Sequence, residues 1–265
     1  MHADIFGINI EYSDQGSGTP ILLMHGNPDC RHSWQPVIER LGEDVRIIAP
    51  DFPGFGGSDP LPDDFDLGPE GMVKLWGQFI ESLDISEPVV VAVHDFGGPW
   101  LLPWVATYPT RVRGLLVLNT LFHPGIRWHF WARVWQTPLL GELSIMLLNR
   151  PLLRWELKRG SANLPDSAIN ETYDRMHLTM KKTVLKIYRA YAKPKEIFDG
   201  WQQQLEKVLK QIPSRVIWGD KDPYIPKEFA YHYEGHVIHQ PEHGHWVHIT
   251  NPDLVAKTLK ELATA

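Results

Sequence analysis

The chain has 265 residues, 43% of them hydrophobic, and its 26 basic and 32 acidic residues leave a net charge of −6. That suits one large α/β domain with room for a small subdomain. With no long basic block, nucleic acid and anionic membrane surfaces are poor partners, and nothing approaches the ~20 apolar residues of a membrane span. The single cysteine, Cys30, excludes an internal disulfide and fits a reducing compartment. Met1 to Tyr12 holds no apolar run of signal length, so a cytoplasmic protein is expected.

Along the chain, strand-like runs fall at 5–12, 21–25, 45–50, 89–94, 114–119, 215–219 and 236–240. Helical patterns fall at 33–41, 69–83, 100–108, 226–233 and 252–262, with Pro103 expected to bend or shift the third. The alternation predicts a mostly parallel sheet flanked by helices. From Phe122 to about Pro194 it breaks into Trp-, Leu- and Arg-rich helical sequence punctuated by Pro124, Pro138, Pro151 and Pro165. This reads as a helical cap, 122–194, inserted into a core of 1–121 and 195–265. Trp128, Trp131 and Trp135, at i, i+3 and i+7, predict one helix face, serving either core packing or an apolar pocket wall with indole N–H donors.

The chemistry concentrates at three strand ends. Val89-Val90-Val91-Ala92-Val93-His94-Asp95-Phe96-Gly97-Gly98 is a β-branched run, then a turn of small residues, then an apolar helix start. Such a strand-turn-helix elbow exposes its central residue, here Asp95, as a nucleophile. A carboxylate there displaces a leaving group from carbon and forms an ester on the enzyme. Gly219-Asp220-Lys221-Asp222-Pro223 offers two carboxylates after a strand, and His243-Gly244-His245-Trp246 offers an imidazole near the end of the chain. A neutral imidazole held by a carboxylate can deprotonate water. His25-Gly26-Asn27-Pro28 follows another strand and can supply a backbone N–H to an oxyanion, paired with that of Phe96. The glycine-rich stretch 51–59 lacks the lysine and spacing of a phosphate loop and reads as a structural turn.

Together these residues resemble the α/β-hydrolase superfamily over nearly the whole chain, with nucleophile, acid and histidine in that family's order. Within it the chain is similar to haloalkane dehalogenases and epoxide hydrolases, both of which use Asp as nucleophile. The resemblance implies Asp95 as nucleophile, His245 as base and Asp222, which fits a Gly-x-x-Asp pattern, as its acid. Asn119 and Thr120 stand at the strand end where some dehalogenases carry the acid instead. Asn27 matches the halide-holding Asn of many dehalogenases, and Val93 also fits them. Phe96 stands where they typically carry a second halide donor, Trp, so a cap donor such as Trp128 or Trp131 is expected. Tyr188-Arg189 resembles the surroundings of one ring-opening tyrosine of epoxide hydrolases, with Tyr173 and His177 as candidates for the second donor. Phe96 and Pro99 replace the arginines that fluoroacetate dehalogenases use to bind a carboxylate. The expectation is a hydrolase of a small, neutral, apolar substrate, needing no cofactor and no metal. Carbon–halogen cleavage leads, epoxide opening is the alternative, and a non-catalytic small-molecule binding protein is the rival from another class. The sequence leaves the oligomeric state open.

Overall fold

Eight strands form one sheet in the computed structural model, which describes residues 1–265. They are β1 (His2–Ile5), β2 (Ile8–Gln15), β3 (Thr19–Met24), β4 (Val45–Pro50), β5 (Val89–Asp95), β6 (Val112–Thr120), β7 (Ser214–Gly219) and β8 (His236–Gln240). Their spatial order is β1-β2-β4-β3-β5-β6-β7-β8. The first two pairings, β1 with β2 and β2 with β4, are antiparallel, and all the others are parallel. The strand order reverses at β3, which lies between β4 and β5. The crevice at the carboxyl ends of β3 and β5 is therefore a topological switch point, where open α/β sheets bind ligands.

The helices are α1 (Gln35–Leu41), α2 (Pro69–Glu81), α3 (Gly97–Thr107), α4 (Phe130–Gln136), α5 (Leu140–Met146), α6 (Arg150–Gly160), α7 (Asp166–Arg175), α8 (Leu178–Ala190), α9 (Pro194–Phe198), α10 (Trp201–Leu209), α11 (Val247–Thr250) and α12 (Pro252–Thr264). Alternation along β5 explains the layering. Val89, Val91 and Val93 enter one apolar cluster and Val90 and Ala92 the opposite one, because successive side chains leave a strand on opposite faces. Helices α2 and α3 supply Trp76, Phe79 and Trp100 to the larger cluster, while α1 and α12 supply Val37, Leu41 and Leu259 to the smaller. Each fully buried aliphatic side chain contributes roughly 1.5–3 kcal/mol, so two covered faces hold the central strands firmly. Between β6 and β7 the chain forms helices and no strand, and α4, α5 and α8 pack on one another, as do α6 and α7.

Several expectations are corrected. The single strand at 5–12 is a hairpin, because Phe6 and Gly7 take φ of 58° and 79° and Asp4 accepts the Gly7 N–H. The helix expected at 100–108 begins at Gly97, directly after the elbow, and runs unbroken through Pro103. The helical segment expected at 226–233 is a 3-10 helix over Lys227–His232. Trp128 precedes α4, whose first residue is Phe130, so the three tryptophans do not share one helix face. Helices α9 and α10 were not expected. The apolar spacing Trp201, Leu205, Val208, Leu209 carried the signal for α10, which packs on α3. No helix is long and apolar enough to cross a membrane.

Candidate active site

Asp95 ends β5 and takes φ of 51°, a left-handed conformation that costs a branched carboxylate side chain of order 1–3 kcal/mol. Close packing of the elbow holds it there. A Cβ on Gly26 would lie 2.4 Å from the Cβ of Asp95, and one on Gly98 would lie 2.0 Å from the Oγ1 of Thr120. Glycine at both positions lets the loop after β3 and the end of β6 close on the turn.

The Asp95 carboxylate is buried and divided between two sets of partners. Its Oδ2 accepts the Asn27 backbone N–H at 2.8 Å, and the neighbouring Phe96 backbone N–H favours the charged carboxylate. Its Oδ1 faces Nε2 of His245 at 3.6 Å. Burial pushes this carboxyl up from its ordinary value, while His245 and the two N–H groups pull it down. The two donors expected for an oxyanion thus converge on the elbow.

His245 turns its Nδ1 to Oδ2 of Asp222 at 2.7 Å. The Oδ1 of Asp222 accepts the backbone N–H groups of Tyr224 and Ile225 at 2.7 and 3.1 Å. Asn119, from the end of β6, donates its Nδ2 to Oδ2 of Asp222 at 2.8 Å and accepts the Gly219 N–H at 2.9 Å. Asp220 points elsewhere, to Nδ1 of His239 at 2.7 Å. Burial alone would lower the basicity of His245, but Asp222, with smaller help from Asp95 and Asp29, raises it to about 9.

Over the Asp95 carboxylate lies a cavity lined by 24 residues, 16 of them hydrophobic, which suits an apolar guest. Trp128, Trp131, Trp135, Tyr188, Ile145 and Leu153 form much of its wall, and Asn27, Asp95 and His245 its polar end. Asn27 Nδ2 and His129 Nε2 each lie 3.4 Å from the Tyr188 hydroxyl. His129 caps α4 by accepting the Ala132 N–H at Nδ1. Burial lowers this imidazole to about 4, so it is neutral and carries its proton on Nε2. The Tyr188 oxygen therefore accepts from two N–H donors, and its own proton is free for the cavity.

Trp128 has a different place from the one expected. Its indole N–H is donated to the Tyr191 carbonyl at 3.1 Å, while its ring lies against Phe96 with centroids 6.0 Å apart. It walls the cavity but has no donor left for a leaving group. Trp131 lines the cavity as well. Tyr173 and His177 do not: Tyr173 carries the Arg150 guanidinium over its ring, and His177 caps α8 and contacts the Gly56 carbonyl. His129 and Asn119 escaped sequence reasoning, although Asn119 was noted as the residue standing where an acid was missing. The 51–59 turn is a structural support. Arg31 pairs with Asp51 and Glu11, and His25 Nε2 accepts the Phe52 N–H at 2.9 Å.

Known proteins resemble the chain in sequence and in fold. Haloalkane dehalogenase 2 of Mycobacterium tuberculosis (strain ATCC 25618 / H37Rv) is 26% identical over 262 residues, covering 95% of this chain and 90% of the relative. A cis-3-alkyl-4-alkyloxetan-2-one decarboxylase of Xanthomonas campestris pv. campestris is 27% identical over 244 residues, covering 84% and 80%. Among solved structures, the epoxide hydrolase CorEH without ligand superposes with a TM-score of 0.83 at 21% identity, over 100% of this chain and 98% of that one, and so shares the fold. The sequence profile of the alpha/beta hydrolase family matches residues 21–258, and the chain belongs to that family as an α/β-fold hydrolase.

Proposed function

We propose that the protein hydrolyses a small, neutral, apolar electrophile through an ester on Asp95, with residues 122–194 acting as a cap over the site. The observation that carries this reading is the placement of His245 between Asp222, at 2.7 Å, and Asp95, at 3.6 Å. Asp95 attacks carbon and the leaving group departs with the bonding pair. His245 then removes a proton from water, and the resulting hydroxide adds to the Asp95 carbonyl carbon. The N–H groups of Asn27 and Phe96 stabilise the oxyanion. Collapse expels the product oxygen, which takes the proton from His245, and the Asp95 carboxyl then gives its own proton to the imidazole, which restores the carboxylate.

The charges also order the two steps. With Asp95 ionised, His245 holds its proton up to about pH 9 and favours the carboxylate form of the nucleophile. Ester formation removes the Asp95 charge, and with it one of the influences that keep His245 protonated. Its proton then passes to solvent, or to the Tyr188 oxygen where that hydroxyl has protonated the leaving group, and the neutral imidazole serves as the base.

For the leaving group, the donors around Tyr188 favour an epoxide oxygen. A developing alkoxide needs an O–H donor, and the Tyr188 proton is uncommitted while Asn27 and His129 hold its oxygen. The Tyr188 hydroxyl is raised well above its ordinary value by burial and next by the charge of Asp95. That charge leaves the nucleophile during ring opening, so the phenol becomes a better acid as the alkoxide forms. Carbon–halogen cleavage is the second reading, favoured by the Asn27 amide at the cavity. It requires a further N–H donor, for which Trp131 is the candidate because the Trp128 N–H is bonded to Tyr191. Parallel turnover of aryl epoxides and short bromoalkanes by wild type, Tyr188→Phe and Asn27→Ala tests the choice. The epoxide reading expects Tyr188→Phe to lose roughly 10²–10³-fold in epoxide turnover. Bromoalkane turnover that survives Tyr188→Phe and is lost in Asn27→Ala reverses it.

A further inference from the structure

Three ligating side chains converge behind the catalytic histidine, and none of them lines the substrate cavity. Asp29 lies in the loop after β3, His94 immediately precedes the nucleophile on β5, and His248 is on α11, three residues after His245. All three are buried, the two histidines completely. Their ligand atoms lie within 4.8 Å of one another.

The hydrogen bonds fix what each residue presents. His94 Nε2 lies 3.0 Å from the carbonyl oxygen of His245. A carbonyl only accepts, so Nε2 carries the ring proton and Nδ1 presents a bare lone pair. That Nδ1 has no hydrogen-bond partner and lies 4.0 Å from Oδ2 of Asp29. The bare Nδ1 therefore faces an oxygen of the Asp29 carboxyl group in the protein interior, beyond hydrogen-bond distance. His248 has no partner at either ring nitrogen, although its ring is enclosed by Trp34 and His94 at centroid distances of 4.7 and 4.3 Å. Three buried imidazole nitrogens without partners beside a buried carboxyl group are costly unless a cation or an ordered water joins them.

We propose that Asp29, His94 and His248 form a binding site for one divalent transition-metal ion of the zinc class, separate from the substrate cavity. Two neutral imidazoles and a carboxylate are a common nitrogen and oxygen donor set for such an ion, with water as a fourth ligand. The outer contacts are those of a metal site. His94 donates its other N–H to a carbonyl, which sets its tautomer, and Asp29 accepts the Trp246 indole N–H at 2.8 Å. A common centre lies no more than about 2.8 Å from each atom, so bonds of ~2.0–2.2 Å need each ligand to move in by roughly 0.7 Å. Asp29 also borders a second, polar cleft lined by Cys30, His32, Arg40 and Glu171, which offers an entry path from solvent. The bound ion ties together the loop that carries Asn27, the strand that carries Asp95 and the helix that follows His245. It stabilises the folded chain by mass action without entering the reaction.

The competing occupant is a buried water. Protein expressed in zinc-supplemented medium, and protein stripped with chelator, are analysed for metal content and thermal midpoint, and the stripped protein is titrated with Co2+. Wild type is expected to hold one zinc per chain, to lose thermal stability when stripped and recover it with Zn2+, and to develop a visible Co2+ band. His248→Gln and Asp29→Asn should lose all three responses. Asp29→Asn keeps the shape and the acceptor for Trp246, so it carries the test if His248→Gln does not fold. Wild type without stoichiometric zinc and indifferent to Zn2+, or equal zinc in wild type and Asp29→Asn, overturns the proposal.

Discussion

Asn119 Nδ2 lies 2.8 Å from Oδ2 of Asp222, the same oxygen that faces Nδ1 of His245 at 2.7 Å. Its own side-chain oxygen takes the Gly219 N–H, so one amide ties the end of β6 to the turn that carries Asp222. In the proposed mechanism Asn119 is a positioning residue, acting through Asp222. Asn119→Ala removes a hydrogen bond to a charged group, worth roughly 1.5–3 kcal/mol. Ester hydrolysis in single turnover should slow by roughly 10- to 150-fold, while the alkylation burst keeps its rate. A mutant that slows alkylation and hydrolysis alike contradicts this role.

The two carboxylates of the 219–223 turn should differ sharply. Asp222 bonds His245, whereas Asp220 bonds the half-exposed His239. Asp222→Asn should lower ester hydrolysis by roughly 10²–10⁴-fold, because the imidazole loses its orienting and charge-stabilising partner. Asp220→Asn should stay within about 0.5 kcal/mol of wild type in both stability and activation barrier. The reverse ranking in steady-state kinetics would move the acid two residues upstream.

His129 orients Tyr188 through an N–H that a glutamine amide can replace but a leucine cannot. His129→Leu should reduce epoxide opening by about 2- to 12-fold, the equivalent of a bond worth ~0.5–1.5 kcal/mol. His129→Gln should recover most of that loss in kcat with KM little changed. If both variants fall equally, His129 acts only by filling the cavity wall.

Stability should depend on pH with two opposed limbs. Burial holds His25, His94, His129 and His248 below the ordinary imidazole value, His129 at about 4 and His248 at about 3. The unfolded chain takes up these protons near pH 6.5 and the folded chain does not, so stability falls as pH drops from 6.5 towards 4. Asp29, raised to about 7 by burial, and Asp95, also raised by burial, oppose this on the acid side, but they are outnumbered. His245, raised to about 9, contributes stability that is fully present below pH 6.5 and lost as pH rises to 9. Denaturant unfolding of the chelator-stripped protein across pH 4 to 9.5 should therefore give a maximum near neutrality, and His245→Gln should flatten the alkaline limb. A midpoint that climbs steadily to pH 9 would contradict the assignment for His245.

Much of the sheet was legible because its strands are β-branched runs with local turn signals. The 89–94 run foretold β5, and 236–240 matched β8 residue for residue. The elbow was legible for the same reason, since its strand, turn and helix are consecutive in sequence. What escaped depends on side chains brought together over long separations. Asn119 meets Asp222 across 103 positions, and Trp246 meets Asp29 across 217. Neither pair leaves a local pattern. The Trp128 indole was misjudged because the tryptophan spacing fitted a helix, while the helix begins two residues later and the N–H turns to Tyr191. The first strand was overextended because Phe6-Gly7 sits within an alternating apolar run that hides the turn.

The central claim is that Asp95 forms an ester whose carbonyl carbon is then attacked by water. A single turnover in ¹⁸O-labelled water, with enzyme in excess of substrate, tests it by peptide mass spectrometry around Asp95 and by mass analysis of the product. The account predicts heavy oxygen in the Asp95 carboxylate and none in the product, because the product oxygen added in that turnover comes from the enzyme. Label in the product with an unlabelled Asp95 would mean that water attacks the substrate directly and would contradict the covalent mechanism.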